Sequence, residues 1–253
     1  DVVIGTASVV TDTKFIVQGS GTTLLRVGNT DDGIAGLTLN NVGSSNWSIR
    51  NEDAHLRFEV ANVEKIRFNS AGDVGIGEAT PDQKLHITDA THPYIRTTLN
   101  DTTVSTNDVF GAWEFESLDS STGSSGVIAK IDCIASAGFD GTAANGSVIR
   151  FLTSGTNSIS LTERLRISQV GTIGANTSSP ISDLHASYRA IQNHNYGVWA
   201  VDDGGASFFS NNAYVNSAGN WVRLANDHAS DIGMDDGNFY FRNVGAGTGT
   251  ISW

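Results

Sequence analysis

The chain repeats a 26-residue stretch without a gap, 99 residues further along the sequence. Residues 63–88 read VEKIRFNSAGDVGIGEATPDQKLHIT, and residues 162–187 read TERLRISQVGTIGANTSSPISDLHAS. A fainter third copy, around Ile4-Gly5 and Lys14-Phe15, opens the chain at an offset of 70. Self-similarity at a fixed period is typical of stacked units that each bury a face against a neighbour. The sequence therefore predicts an array that serves as a shaft or scaffold.

Apolar and polar residues alternate in short runs along the whole chain, which is the period of a half-buried strand. Leu56, Phe58 and Val60, for example, alternate with Arg57 and Glu59. The same alternation recurs at 64–68, 113–116, 129–133, 164–167 and 239–242. Asp-Gly and Asn-Gly pairs, which suit tight hairpins, separate the runs, and helical periodicity is nearly absent. The fold class predicted is all-β.

Composition predicts that this chain shares its core with other chains. Only 39% of the 253 residues are hydrophobic and 28 are glycine, which leaves little apolar mass for one large core. The 11 Phe, 5 Trp and 5 Tyr argue against disorder. A net charge of −12 disfavours nucleic acid or anionic membrane as a partner. No run approaches the 18 apolar residues of a membrane span, so no membrane insertion is predicted.

One element of the repeat resembles a known family. The phrase 72–77, GDVGIG, followed by Thr80-Pro81 and Lys84-Leu85-His86-Ile87, resembles the repeated GNVGIGT…P…KLHV element of bacteriophage tail fibres and tailspikes. The preceding segments 64–68 and 163–167 resemble the ERMRI strand that leads into that element. The stretch 212–253 is similar to another module of such fibres. The element also occurs in fibres of contractile injection systems and in some bacterial surface proteins.

The resemblance implies an elongated, intertwined homotrimer of β-prism or β-helical repeat units around a threefold axis. The second copy departs from the pattern, since Asp183 replaces the lysine and Ala186 the β-branched residue. Many relatives end in a self-cleaving chaperone domain, and no segment here resembles one. Because Asp1 and Trp253 both fall in mid-pattern, we expect a piece of a longer polypeptide. Three modules are predicted: shaft units 1–88 and 89–187, and an aromatic-rich C-terminal β-module, 188–253.

The resemblance implies a structural segment of a trimeric tail fibre that helps a phage, or a phage-like particle, attach to its host. The partners are then two identical chains, other virion tail proteins and a host-surface glycan. The location is the tail fibre of an extracellular particle that assembles in the host cytoplasm. A bacterial adhesin segment and a polysaccharide-degrading tailspike are the alternatives. In the second of these, Glu114 and Glu116, two residues apart on one strand, supply acid and base.

Aromatic residues concentrate in the last 60 positions of the chain. Trp199, Tyr214, Trp221 and Tyr240 are candidate receptor or glycan contacts, because exposed rings stack on sugar faces; packing inside the C-terminal module is the alternative. His86 and His185 recur at the period, but Leu85 and Ile87 claim the inward face, so no axial metal is predicted. We predict no catalytic residue, no metal and no cofactor.

Overall fold

A computed structural model describes residues 35–39, 45–120, 125–139, 146–177, 180–181, 184, 187–201 and 205–253. The faint N-terminal copy of the repeat, and His185, Asp183 and Ala186 in the second copy, lie outside the described residues. The described residues form strands, turns and irregular connections without a helix, so the prediction of an all-β fold is confirmed for them. The chain divides into two units, residues 1–95 and 96–253.

The first unit contains one six-stranded sheet in which the strands follow each other in chain order. Every neighbouring pair is antiparallel except the last, β5–β6, which is parallel. The strands are β1 (Ala35–Leu39), β2 (Trp47–Glu52), β3 (His55–Val60), β4 (Val63–Phe68), β5 (Val74–Ile76) and β6 (Leu85–Ile87).

The second unit contains a ten-stranded sheet and a two-stranded one. The large sheet also follows chain order, and β11–β12 is its parallel pair. Its strands are β7 (Val109–Ser117), β8 (Gly126–Ala135), β9 (Ser147–Ser154), β10 (Leu161–Ile167), β11 (Ile173–Ala175), β12 (Tyr188–Asn193), β13 (Tyr196–Val201), β14 (Ala206–Asn211), β17 (Asp227–Asp235) and β18 (Asn238–Gly247). The small sheet pairs β15 (Tyr214–Val215) with β16 (Trp221–Val222). The large sheet continues across residues 187–188, because β11 pairs with β12. The division of the chain into the modules 1–88, 89–187 and 188–253 stays a prediction.

The two copies of the repeat fold into the same turn. In the first copy, the Asn69 side chain accepts a hydrogen bond from the Asp73 N–H at 2.8 Å. In the second, Ser168 Oγ accepts one from the Thr172 N–H at 3.1 Å. The glycines directly before these two N–H donors, Gly72 and Gly171, both have a left-handed backbone, with φ of 78° and 81°. A chain reversal that needs a short polar acceptor and a positive φ therefore recurs at the sequence period.

The copies diverge where their sequences diverge. In the first copy, Lys84 Nζ lies 2.5 Å from Asp73 Oδ1 and joins the start of β6 to the turn before β5. The equivalent positions in the second copy are Asp183 and Thr172, so the sequence offers no such ion pair. There the parallel partner of the short strand is β12, and Leu184 forms an isolated bridge to Asn216 instead.

Part of the second unit has a core of its own, on one side of the large sheet. Ile181, Leu184 and the small sheet β15–β16 cover that side of strands β12 to β14, over Ala190, Trp199 and Phe208. Gln192 holds Ile181 in this position, because the Gln192 Oε1 accepts a hydrogen bond from the Ile181 N–H at 2.9 Å. Asn212 joins the two ends of the segment that carries β15 and β16. Its Nδ2 lies 3.0–3.2 Å from the carbonyl oxygens of Ala225, Asp227 and His228.

Alanine substitution at Gly75 should lower the free energy of unfolding more than the same substitution at the matching Gly174. A Cβ at Gly75 would lie 2.1 Å from the Glu78 carbonyl oxygen, whereas one at Gly174 would lie 3.1 Å from its nearest atom, the Thr177 carbonyl oxygen. We expect Gly75→Ala to lower the free energy of unfolding by about 3 kcal/mol and Gly174→Ala by about 1 kcal/mol. Denaturant unfolding measures both losses. Equal losses contradict the close approach at Gly75.

Candidate interaction surface

The sheet of the first unit carries an apolar face. Cross-strand register places one apolar residue from each of the six strands in a single row. A second row beside it holds Leu56, Phe68 and Leu85, which are 41%, 41% and 53% exposed. The six residues of the first row are Leu37, Ile49, Phe58, Ile66, Ile76 and Ile87.

The large sheet of the second unit repeats this design over all ten strands. One cross-strand row, which we call the apolar row, contains nine apolar side chains after an initial glycine, and Phe241 at its end is 78% exposed. Isolated exposed apolar residues are ordinary, but a continuous patch across a whole sheet marks an interaction surface. The apolar row consists of Gly111, Cys133, Ile149, Ile167, Ile173, Ile191, Val198, Phe209, Ile232 and Phe241.

A second row on the same face changes character halfway along the sheet. Over strands β7 to β11 it is apolar, starting with Trp113, which is 60% exposed. Over β12 to β18 it bears amides, a hydroxyl and a tyrosine, and we call this part the amide row. The apolar half is Trp113, Ile131, Phe151, Leu165 and Ala175; the amide row is Asn193, Tyr196, Asn211, Ser230 and Asn243. A groove of about 340 Å³ runs between the amide row and the apolar row.

The opposite face is charged and internally paired in the first unit and over strands β8 to β10 of the second, whereas over β12 to β14 it carries the core around Trp199. In the first unit, Arg57 lies between Glu52 and Glu64, with nitrogen–oxygen distances of 3.0 and 3.5 Å, and Arg67 lies 2.6 Å from Glu64. The hydrogen bonds that Arg67 donates to the Glu64 carboxylate raise the pKa of Arg67. The pair Arg67–Glu64 recurs one repeat later as Arg166–Glu163, at 2.5 Å. Since these charges have partners within their own chain and border water, this face needs no further partner.

Asp132 is the most deeply buried carboxylate of that charged face, with no exposed side-chain surface. Arg150 donates to it from Nε at 2.9 Å and from Nη2 at 2.7 Å, and Lys130 Nζ lies 2.9 Å away. Burial alone raises the pKa of Asp132, but the hydrogen bonds from Arg150 and Lys130 outweigh it and hold the pKa below its usual range.

This lowered pKa predicts how stability depends on pH. A carboxyl group with a depressed folded-state pKa stabilises the fold above its unfolded value of about 4 and loses that contribution as pH falls through the folded value. We expect wild-type unfolding free energy to fall more steeply below pH 4 than that of Asp132→Asn, which should be less stable at pH 7. Thermal unfolding from pH 2 to 7 measures this. Asp236→Asn, in an exposed turn, is the matched control and should follow the wild type; parallel curves for all three proteins contradict the prediction.

The four candidate receptor residues cluster on the covered side of the sheet. Trp199 is 1% exposed and sits in the core, and its ring lies 6.4 Å from that of Tyr214. Trp221 packs edge-on against Phe208 at 5.0 Å. Tyr240 is half-buried on the same side. The structure therefore brings these residues together as packing partners, with Trp199 closed to any ligand in this conformation.

Arg242 lies at the centre of these rings. Its guanidinium carbon is 4.9 Å from the ring centroids of both Trp221 and Trp253 and 5.5 Å from that of Tyr240. Its Nε and Nη2 donate to the two oxygens of Asp231 at 2.8 and 2.5 Å, and that carboxylate has no exposed side-chain surface. Cation–π contacts and a two-pronged ion pair together attach the end of the chain to the sheet.

Among the described residues, the alternative catalytic and metal-binding candidates do not come together as a site. Glu114 and Glu116 are both exposed on the edge strand β7, where Glu114 lies opposite Lys130, and neither lines the groove. His86 lies on the charged face, 3.1 Å from Asp82. Within the described part of the chain, no group of three His, Cys, Asp or Glu residues is placed to hold a metal. No helix among the described residues has the length and hydrophobicity that crossing a bilayer requires.

The amide row is the part of the surface that sequence reasoning missed. Each member lies two positions along its strand from a member of the apolar row, but only the cross-strand register shows that the five align. Asn193, Asn211 and Asn243 look like turn or surface residues in the sequence. The signal available was that each ends or interrupts an alternating run.

In the part of the chain that the structure describes, these features define a class of protein: β-sheets with one uncovered face that bears apolar rows and an opposite face that is charged and paired within the chain, except where a small core covers strands β12 to β14. No family model matches the sequence, and no curated protein is similar to it. Among solved structures, the chain is similar to the carboxy-terminal domain of the bacteriophage T5 L-shaped tail fibre with its intramolecular chaperone domain. The two are 10% identical with a TM-score of 0.26, over 93% of this chain and 92% of that one.

Proposed function

We propose that the chain is a structural segment of a phage or phage-like tail fibre, a parallel homotrimer whose three copies turn their apolar sheet faces inward and their charged faces to water. The uncovered apolar row of the ten-stranded sheet is the observation that carries the proposal. Each further 100 Å² of apolar surface removed from water stabilises an assembly by about 2.5 kcal/mol. We expect this ten-stranded apolar face to pack against the same face of another copy.

The resemblance of the repeat to tail-fibre elements favours three copies rather than two. Two sheets stacked face to face would also cover the apolar rows, as in a β-sandwich. Three sheets around an axis do the same and give the threefold symmetry of the fibres that the repeat resembles. The unpaired outer edges of β7 and β18 favour assembly too, since exposed edges invite further pairing.

The function that follows is mechanical and multivalent. A fibre of three chains presents every surface site three times, so weak contacts with a host glycan add without new chemistry. The other partners are the neighbouring tail proteins of the virion, and the site of action is the outside of the particle. A bacterial adhesin segment rests on the same resemblance and the same apolar faces. Antibody labelling of virions and of cells distinguishes the two.

The test is the mass of the assembled protein in solution. We expect sedimentation equilibrium to give three times the chain mass of 26.7 kDa at micromolar concentration. Twice that mass replaces the trimer with a sandwich dimer, and a well-folded single chain refutes the proposal. Release of reducing ends from capsular polysaccharide is the separate assay for the tailspike alternative, with Glu114→Gln/Glu116→Gln as its control.

A further inference from the structure

We infer that the amide row is a registration device between copies of this chain, in which Asn193, Asn211 and Asn243 form hydrogen bonds to the same row of neighbouring copies. The inference rests on the proposed assembly and adds what fixes the copies at one height. The partner of this surface is a second copy of the chain. Apolar contacts alone would allow the two copies to shift along each other.

The row is polar, and its amides have no hydrogen-bond partner among the residues that the structure describes. Asn193, Asn211 and Asn243 are exposed, and Tyr196 is 48% exposed. None of these side chains makes a hydrogen bond within the described part of the chain. The charged face differs, since its Arg and Glu side chains are paired within the chain. An unpaired row of neutral amides therefore has donors and acceptors to offer elsewhere.

Amides suit pairing between identical chains. Each carries both a donor NH₂ and an acceptor oxygen, so an amide satisfies its own copy, whereas a carboxylate or an ammonium repels its own copy. The amide row is continuous with the apolar half-row and lies beside the apolar row, so any copy that covers those rows also covers the amides. Burying an amide without a partner costs about 1–3 kcal/mol, and pairing removes that cost.

The two halves of the row penalise a slip between copies. Strands are about 4.8 Å apart, so a slip by two strands moves one sheet about 10 Å along another. The apolar row tolerates that shift, because apolar residues meet apolar residues at every position. The amide row, shifted by two strands, instead places Asn193 next to Leu165 and Tyr196 next to Ala175, and leaves the Asn193 amide unpaired. A polar residue at one layer of an apolar interface fixes the register of coiled coils for the same reason.

The first arm of the experiment tests burial of the row. Asn243→Asp is compared with Asn238→Asp, which lies on the same strand but on the opposite face. After refolding from denaturant at pH 7.5, we expect the trimer dissociation constant of Asn243→Asp to rise at least 100-fold. Refolding at pH 4, where a buried carboxyl is protonated, should restore the trimer. Trimers as stable as those of Asn238→Asp at pH 7.5 mean that the row faces water, open to a ligand such as a glycan, and overturn the inference.

The second arm tests register with variants that keep the interface apolar. Asn211→Leu/Asn243→Leu removes the amides, and Asn238→Leu is the matched control. With 5-fluorotryptophan incorporated, the wild type should give one ¹⁹F resonance for Trp113, identified by its loss in Trp113→Phe. The double variant should remain a trimer of equal or higher thermal stability but split the Trp113 resonance into two or more. A single resonance in a trimeric double variant overturns the inference and leaves the proposed function standing. A wild type that is a folded single chain overturns both.

Discussion

Ile232→Asp should convert the assembled protein into single chains while leaving each chain folded. Ile232 lies near the C-terminal end of the apolar row, between Phe209 and Phe241, and is 47% exposed in the isolated chain. A carboxylate there faces water in one chain and costs little. In the proposed trimer, three of them converge in an apolar interior, at several kcal/mol for each buried charge. We expect the dissociation constant to rise at least about 1000-fold, measured by sedimentation equilibrium together with circular dichroism of the strands.

The matched control for that change is Asn226→Asp, which adds the same charge at an exposed position between β16 and β17. It should leave both the mass and the strand signal unchanged. An Ile232→Asp protein that keeps the mass of the wild-type trimer excludes this face as the contact between copies. Loss of the strand signal together with the mass would instead indicate that the second unit folds only when the face is covered.

Local elements of this fold follow from the sequence because they depend on neighbours along the chain. The alternation at 56–60 and 64–68 corresponds to β3 and β4, and that at 239–242 lies in β18. Asp236-Gly237 turns β17 into β18 with φ of 46° and 78°, both left-handed, as a two-residue hairpin requires. The turn shared by the two copies is equally local, since its acceptor, its glycine and its short strand lie within a few residues.

The partner of each strand and the cover of each face depend on distant residues. The second copy keeps its turn, but its parallel strand comes from 188–193, and the lysine that joins the first copy to its own strand is absent from it. Trp199 and Val198 are both apolar, so alternation does not decide which of them faces the core. The segments that cover Trp199 come from 181 and 214–224 and are separated from it in sequence. The amide row is visible only once its five strands have been aligned.

The same limit explains where the aromatic residues lie. Their concentration in the last 60 positions predicts either an exposed ring surface or a packed module, and composition alone does not choose. The most exposed rings of this stretch are Phe239 and Phe241, at 73% and 78%, whereas Tyr240 between them turns toward Arg242. The rings with polar atoms are thus mostly on the covered side, and the purely apolar ones are on the face proposed to meet another chain.

Removal of the Arg242 side chain should be the most damaging single change within the second unit. Arg242→Met leaves the Asp231 carboxylate buried without its partner and removes the cation from between the Trp221 and Trp253 rings. Breaking a buried ion pair from one side costs about 3–5 kcal/mol, and we expect a loss of that size in denaturant unfolding. Asp231→Leu/Arg242→Met removes both charges and should recover at least half of the loss, since no buried charge remains without a partner. Arg96→Met, on an exposed arginine of the same unit that lies outside the strands, is the control and should change stability by less than about 1 kcal/mol. If the double variant is as unstable as Arg242→Met alone, the rings rather than the ion pair hold the chain end, and the stabilisation comes from cation–π contact and packing.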